Sequence, residues 1–131
     1  MPVVVEASVM FAAVTAADGF EPLGEQVLIG PSLLWTETRS ALHVARWRGL
    51  ISEETAAHAL SLLRSGPVKE RRPQALGSTA WRIADELQWS KTYDAEYLAL
   101  AASVKGSLVT LDRRLLRAAQ RLDLDIFPID R

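Results

Sequence analysis

The chain has 131 residues, 49% of them hydrophobic and 24% charged, with 15 Lys and Arg against 16 Asp and Glu. That balance fits one globular domain over residues 1–131 with an ordinary core, and it excludes a disordered chain. The net charge of -1 provides no global attraction to nucleic acid or membrane, and the absence of cysteine excludes disulfides, thiolate zinc sites and thiol catalysis.

Met1-Pro2 leads directly into Val3-Val4-Val5 with no basic region, and Glu6 interrupts the apolar run, so no signal peptide is expected. No apolar run is long enough to span a membrane. A cytoplasmic protein is the natural expectation. Val3 to Glu6 reads as a buried first strand and Ser8 to about Thr15 as a buried helix. Residues 17–24 read as a loop, from their glycines and proline. Val27-Leu28-Ile29 is a second strand, stopped by Gly30-Pro31. A helix then runs from Ser32 to about Arg48, with Gly49 as its C-cap.

Ser52 to Gly66 is a further helix with Glu54 in its first turn. Val68 to Arg72, bounded by prolines, reads as an edge strand. Leu76 to Leu87 repeats apolar residues at helical spacing. Thr92-Tyr93-Asp94 opens the next helix, where Asp94 can cap the free amides. After Lys105-Gly106, the run Ser107 to Leu111 reads as a buried parallel strand with Asp112 at its C-terminal end. Arg113 to Leu122 is helical, and Ile126 to Ile129 is a last, edge strand. Strands alternating with helices predict a three-layer α/β/α sandwich around a small, mostly parallel sheet.

Four acids stand out by position. Glu6 and Asp112 end strands, Asp94 starts a helix, and Glu37 lies in a helical stretch among the apolar residues Leu33, Leu34, Trp35, Ala41 and Leu42. Each alone has an ordinary reading as a cap, a strand end or a solvated surface acid. Together on one rim they would repel one another unless a cation joined them. Hard oxygen ligands select Mg²⁺ or Mn²⁺, and such ions activate water for in-line displacement at phosphate.

The sequence resembles the PIN-domain proteins, of the VapC type found as toxins of toxin–antitoxin pairs. The residues that carry the resemblance are 3–9, then 31–37 with Ser40-Ala41-Leu42, then 92–101, then 108–115, in family order. The resemblance implies an Mg²⁺- or Mn²⁺-dependent endoribonuclease acting on RNA, usually a homodimer, silenced by a cognate antitoxin. It places the catalytic, metal-binding acids at Glu6, Glu37, Asp94 and Asp112, and suggests that Ser8 or Thr110 supports them by hydrogen bonding. The family usually has Asp where this chain has Glu6. The extra methylene moves the carboxylate by roughly one bond length, which matters to an ion demanding near-ideal geometry.

Arg113, Arg117 and Arg121 recur at helical spacing, with Arg114 beside them. Arg113 and Arg114 follow Asp112 directly and are the expected phosphate contacts. Trp35 and Trp81 are expected in the core, and other tryptophans at a partner surface. His43 and His58 lack metal-ligand spacing. A receiver-like phosphoacceptor would want two adjacent acids after the first strand, where only Glu6 stands. A nucleotide-binding domain would want a glycine-rich loop there. The remaining alternative is a PIN fold that no longer cleaves and serves as a binding or regulatory module, which Glu6 favours.

Overall fold

The computed structural model describes residues 1–129. Its strands are β1 (Pro2–Val5), β2 (Val27–Gly30), β3 (Lys69–Glu70), β4 (Ser107–Val109) and β5 (Asp125–Ile126). Its helices are α1 (Ala7–Thr15), α2 (Leu33–Trp47), α3 (Glu53–Ser65), α4 (Leu76–Leu87), α5 (Tyr93–Val104) and α6 (Arg113–Arg121), with a single 3-10 turn at Glu21–Leu23. The sheet order is β3-β2-β1-β4-β5 and every pairing is parallel.

The order determines the layers. From β1 to β2 to β3 the chain moves one way across the sheet, and from β3 to β4 to β5 it moves back. Right-handed crossovers then put α1, α2 and α3 on one face and α4, α5 and α6 on the other. The packing agrees: α1, α2 and α3 contact one another, while α4 lies on α5 and α5 on β1 and β4. This is a three-layer α/β/α sandwich.

The central strands are covered on both faces. Val3, Val4, Val5, Leu108 and Val109 are all fully buried, so these runs are continuously apolar instead of alternating. α5 sits between α4 and the sheet, and Ala95 and Tyr97 to Ala101 are buried all round the helix. These residues belong to one contiguous core. No described helix is long and apolar enough to cross a membrane.

Several boundaries differ from the sequence reading. β1 ends at Val5, because Glu6 turns out of the sheet to cap α1. β4 stops at Val109, where the Thr110 and Ser8 side chains take over the hydrogen bonding of the next amides. The edge strand shrinks to Lys69–Glu70, and β5 covers only Asp125–Ile126, short of the expected Ile129. Pro128 has no N–H to extend the pairing. Trp81, expected in the core, is 66% exposed, because Ile83, Ala84 and Leu87 face inward on α4 instead.

The turn between α5 and β4 divides its work in an unexpected way. Lys105, not the glycine, takes the left-handed conformation, with φ at 51°. Gly106 is needed for close approach: a Cβ there would meet the Pro2 carbonyl oxygen at 2.4 Å. Gly77 on α4 would meet nothing within 4 Å. Gly106→Ala should therefore lower the unfolding free energy by about 1–3 kcal/mol through overpacking. Gly77→Ala should leave it unchanged or raise it by up to about 1 kcal/mol. Denaturant titration of the two variants checks this, and equal midpoints would refute it.

Candidate active site

In a sheet of order 3-2-1-4-5 the winding reverses between β1 and β4. Open α/β sheets bind ligands beyond the carboxyl ends of the strands at such a point. Glu6 directly follows β1, and Thr110 and Asp112 directly follow β4. Two further helices start on the same rim. α2 follows β2 after a short turn and carries Glu37 in its second turn, and α5, which runs back to β4 through two residues, carries Asp94 in its first turn. Helix N-termini favour negative charge, which suits acids at these positions.

Glu6 is 7% exposed, and its Oε1 collects three donors: the Ser8 amide at 3.1 Å, the Ser8 hydroxyl, and Thr110 Oγ1 at 2.6 Å. Both hydroxyls act as relays. Ser8 Oγ accepts from the Leu111 amide at 3.0 Å, and Thr110 Oγ1 accepts from the Asp112 amide at 3.0 Å. One carboxylate oxygen thus ties α1, β1 and the loop after β4 together. Asp112 is the N-cap of α6, its Oδ1 accepting from the amides of Arg114 at 2.8 Å and Leu115 at 3.3 Å.

Glu37 is half-buried and accepts a 2.6 Å hydrogen bond on Oε1 from the hydroxyl of fully buried Tyr97. Asp94 does not cap α5 as expected. Thr92 holds the N-cap position, with no side-chain cap bond, and Asp94 Oδ2 instead lies 3.3 Å from Arg114 Nη1. The Arg114 guanidinium stacks on the ring of Trp89, 4.0 Å from its centroid. Asp94, Glu37, Trp89, Arg114, Ser90, Lys91 and Tyr93 line one small pocket of about 170 Å³.

The acids sense one another. Burial pushes the Glu37 carboxyl above the ordinary carboxylate range, Tyr97 pulls it back, and Asp94, Glu6 and Glu96 push it up. Burial and then Asp112 raise Asp94, against the pull of Arg114. Burial raises Glu96 as well. The Tyr97 hydroxyl is held far above its ordinary value by burial and by its bond to Glu37, so it remains a donor.

The structure therefore brings all four acids to one rim, with Ser8 and Thr110 between them. It separates the two arginines: Arg114 reaches the acids, while Arg113 is exposed and makes no hydrogen bond among the described residues. Arg114, Arg117 and Arg121 line a shallow cleft with Trp89. Tyr97, Trp89 and Glu96 were missed in the sequence. By spacing Tyr97 shares one face of its helix with Leu98 and Ala101, and only its position one turn after Asp94 signals a polar partner.

The donor set suits a hard divalent cation in kind. Each of the four carboxylates leaves one oxygen without a hydrogen bond among the described residues: Oε2 of Glu6 and Glu37, Oδ1 of Asp94 and Oδ2 of Asp112. In spacing, no three described acids stand close enough together to form a ready-made cage. Mg²⁺ commonly uses one or two carboxylates and completes its shell with water and phosphate oxygens. Beside the acids, an apolar groove of about 670 Å³ runs between α1 and α2, lined by Ala7, Phe11, Ala41, Val44 and Leu50 with Ser8 and Glu37 at its edge. A cavity of about 510 Å³ between Trp35, Arg39 and Arg64 contains none of the four.

Because the folded chain raises the Glu37 pKa, it holds that proton better than the unfolded chain does. The stability contributed by this group is present at low pH and is lost as pH rises through the raised value. Glu37→Gln keeps an acceptor for Tyr97 and removes the charge. It should melt a few degrees above the parent chain at pH 7, with the gap closing as pH falls through the carboxylate range. Melting curves at pH 7 and pH 4 with no gap at either would refute this.

No model of a known protein family matches the chain, and no curated protein matches it. Among solved structures it is similar to PAE2754 from Pyrobaculum aerophilum, at 29% identity over 90% of this chain and 79% of that one, with a TM-score of 0.70. The likeness supports the α/β sandwich architecture over nearly the whole chain.

Proposed function

We propose that the chain is a metal-dependent endoribonuclease of the PIN-domain, VapC-like type, cytoplasmic and silenced by a cognate antitoxin. The observation that supports this most is the convergence of Glu6, Glu37, Asp94 and Asp112 on the switch-point rim, each with one oxygen turned to no protein donor. The resemblance in the sequence supplies the reaction class.

On this reading one or two of the four acids would bind Mg²⁺ or Mn²⁺ directly through their free oxygens, with water and phosphate oxygens completing the shell and the other acids acting at longer range. Such an ion would activate a water and stabilise the oxygens of an in-line displacement at an RNA phosphodiester. Tyr97 fixes the Glu37 side chain, leaving Oε2 to face the site. Ser8 and Thr110 do the same for Glu6, and the α6 amides for Asp112. Arg113, exposed at the start of α6, contacts substrate phosphates, and Arg114 joins it once released from Asp94. Phosphate contacts of this kind give affinity without sequence choice. The apolar α1–α2 groove opens beside Ser8 and Glu37, so an antitoxin segment seated there would cover the acids. A homodimer belongs to the same reading.

The test is cleavage of a mixed structured RNA pool with Mn²⁺, with Mg²⁺ and with chelator. Metal-dependent cleavage should appear and should fall by more than about 100-fold in both Asp94→Asn and Asp112→Asn, beyond what losing an outer-shell partner costs. Equal cleavage with chelator would refute the metal chemistry.

One observation favours a second reading, a PIN fold kept as a binding module. Glu6 Oε1 is fully committed to structural donors, and the side chain folds back on its own helix. If Glu6 weakens the site, Glu6→Asp should tighten Mn²⁺ binding and raise or restore cleavage. Unchanged affinity and rate in that variant would remove the reason for the second reading.

A further inference from the structure

Resting on the metal-site reading above, we propose that Arg114, held on Trp89, is the internal counter-ion of Asp94, and that a divalent cation at Asp94 competes with it. Two independent contacts fix the guanidinium: Nη1 lies 3.3 Å from Asp94 Oδ2, and the group stacks 4.0 Å from the centre of Trp89. The Arg114 amide also donates to Asp112 Oδ1 at 2.8 Å, so one residue touches two of the four acids. Arg113, its neighbour, touches none. A cluster of like charges is eased by a cation nearby, and Arg114 supplies one beside Asp94.

The arrangement is built to yield. The Asp94 and Arg114 side chains are 30% and 52% exposed, so water screens the pair and its opening costs little. Like charges a few ångströms apart repel, so a bound dication and the guanidinium disfavour each other at Asp94. The Trp89 face, on a loop outside α4 and α5, is what keeps the freed or bound guanidinium close to the rim.

The experiment is calorimetric titration of the full chain with Mn²⁺, in the parent, Arg114→Ala, Arg114→Lys and Asp94→Asn forms. It is paired with tryptophan emission during Mg²⁺ titration, Mg²⁺ being diamagnetic and not itself a quencher. Arg114→Ala should bind Mn²⁺ about three- to tenfold more tightly than the parent, with Arg114→Lys between them. Mg²⁺ should change the emission of the parent chain, and the change should vanish in Trp89→Phe and in Arg114→Ala. Equal or weaker Mn²⁺ binding by Arg114→Ala, where the parent binds and Asp94→Asn does not, would overturn the proposal and leave the metal site standing. Binding by neither the parent nor Arg114→Ala, both folded by circular dichroism, would overturn the proposal together with the metal reading.

Discussion

A carboxylate buried at the end of a central strand must find donors, because leaving it unpaired is costly. Glu6 meets that demand with three donors on one oxygen. The constraint extends outward. To reach Glu6, Ser8 must lie in the first turn of α1 and Thr110 must directly follow β4 at a fixed register, with Val5 opposite Val109. The same hydroxyls then take the amides of Leu111 and Asp112, which sets where α6 begins. The crevice between β1 and β4 is thus held by one side chain, and the position of Asp112 follows from it.

The remaining acids impose the opposite kind of constraint. Glu37 and Asp94 reach the rim from opposite layers of the sandwich, where burial and neighbouring acids (Asp94 for Glu37, Asp112 for Asp94) hold both above their ordinary pKa. Nothing in core packing asks for this. α2 could bury an apolar residue at position 37, and α5 could start without a charge. A cost of this kind, concentrated at a topological switch point, is what the proposed binding role would explain and core packing does not. The Tyr97 bond to Glu37 offsets part of the cost and joins the two layers above the sheet.

Much of the architecture was legible because both periodicities are strong. The apolar runs Val3–Val5 and Leu108–Val109 have no polar interruption, which is what a strand covered on both faces requires. Glu6 and Asp112 stood out for the same reason, each the first charge after such a run. What could not be read was pairing across distance. Tyr97 in the apolar run of α5 reads as core, and it is core. Only the fold brings Glu37, sixty residues away in sequence, to its hydroxyl. Trp81 and Trp89 show the same limit. Trp81 lies on the solvent side of α4, whereas the chain leaves α4 through left-handed Gln88 and brings Trp89 against Arg114. The cap expected of Asp94 does not form because α5 starts at Tyr93 with Thr92 at the N-cap position, which leaves Asp94 inside the first turn and paired with Arg114 of α6.

The length of the residue at position 6 can be understood from the same contacts. Its carboxylate must meet the Ser8 amide two residues on and, with the same oxygen, Thr110 Oγ1 on the adjacent strand. The backbone of residue 6 is still bonded to β4, through its amide to the Val109 carbonyl at 3.1 Å. An aspartate there would fall roughly one bond length short, so it could keep the cap to Ser8 only by letting Thr110 go, or the reverse. The glutamate reaches both, and the oxygen it leaves over is correspondingly displaced relative to an aspartate's. A position that serves the junction of β1 and β4 would therefore, on the proposed metal reading, trade against the placement of a ligand oxygen. The geometry of the other three acids, none of which closes the sheet, is free of that conflict.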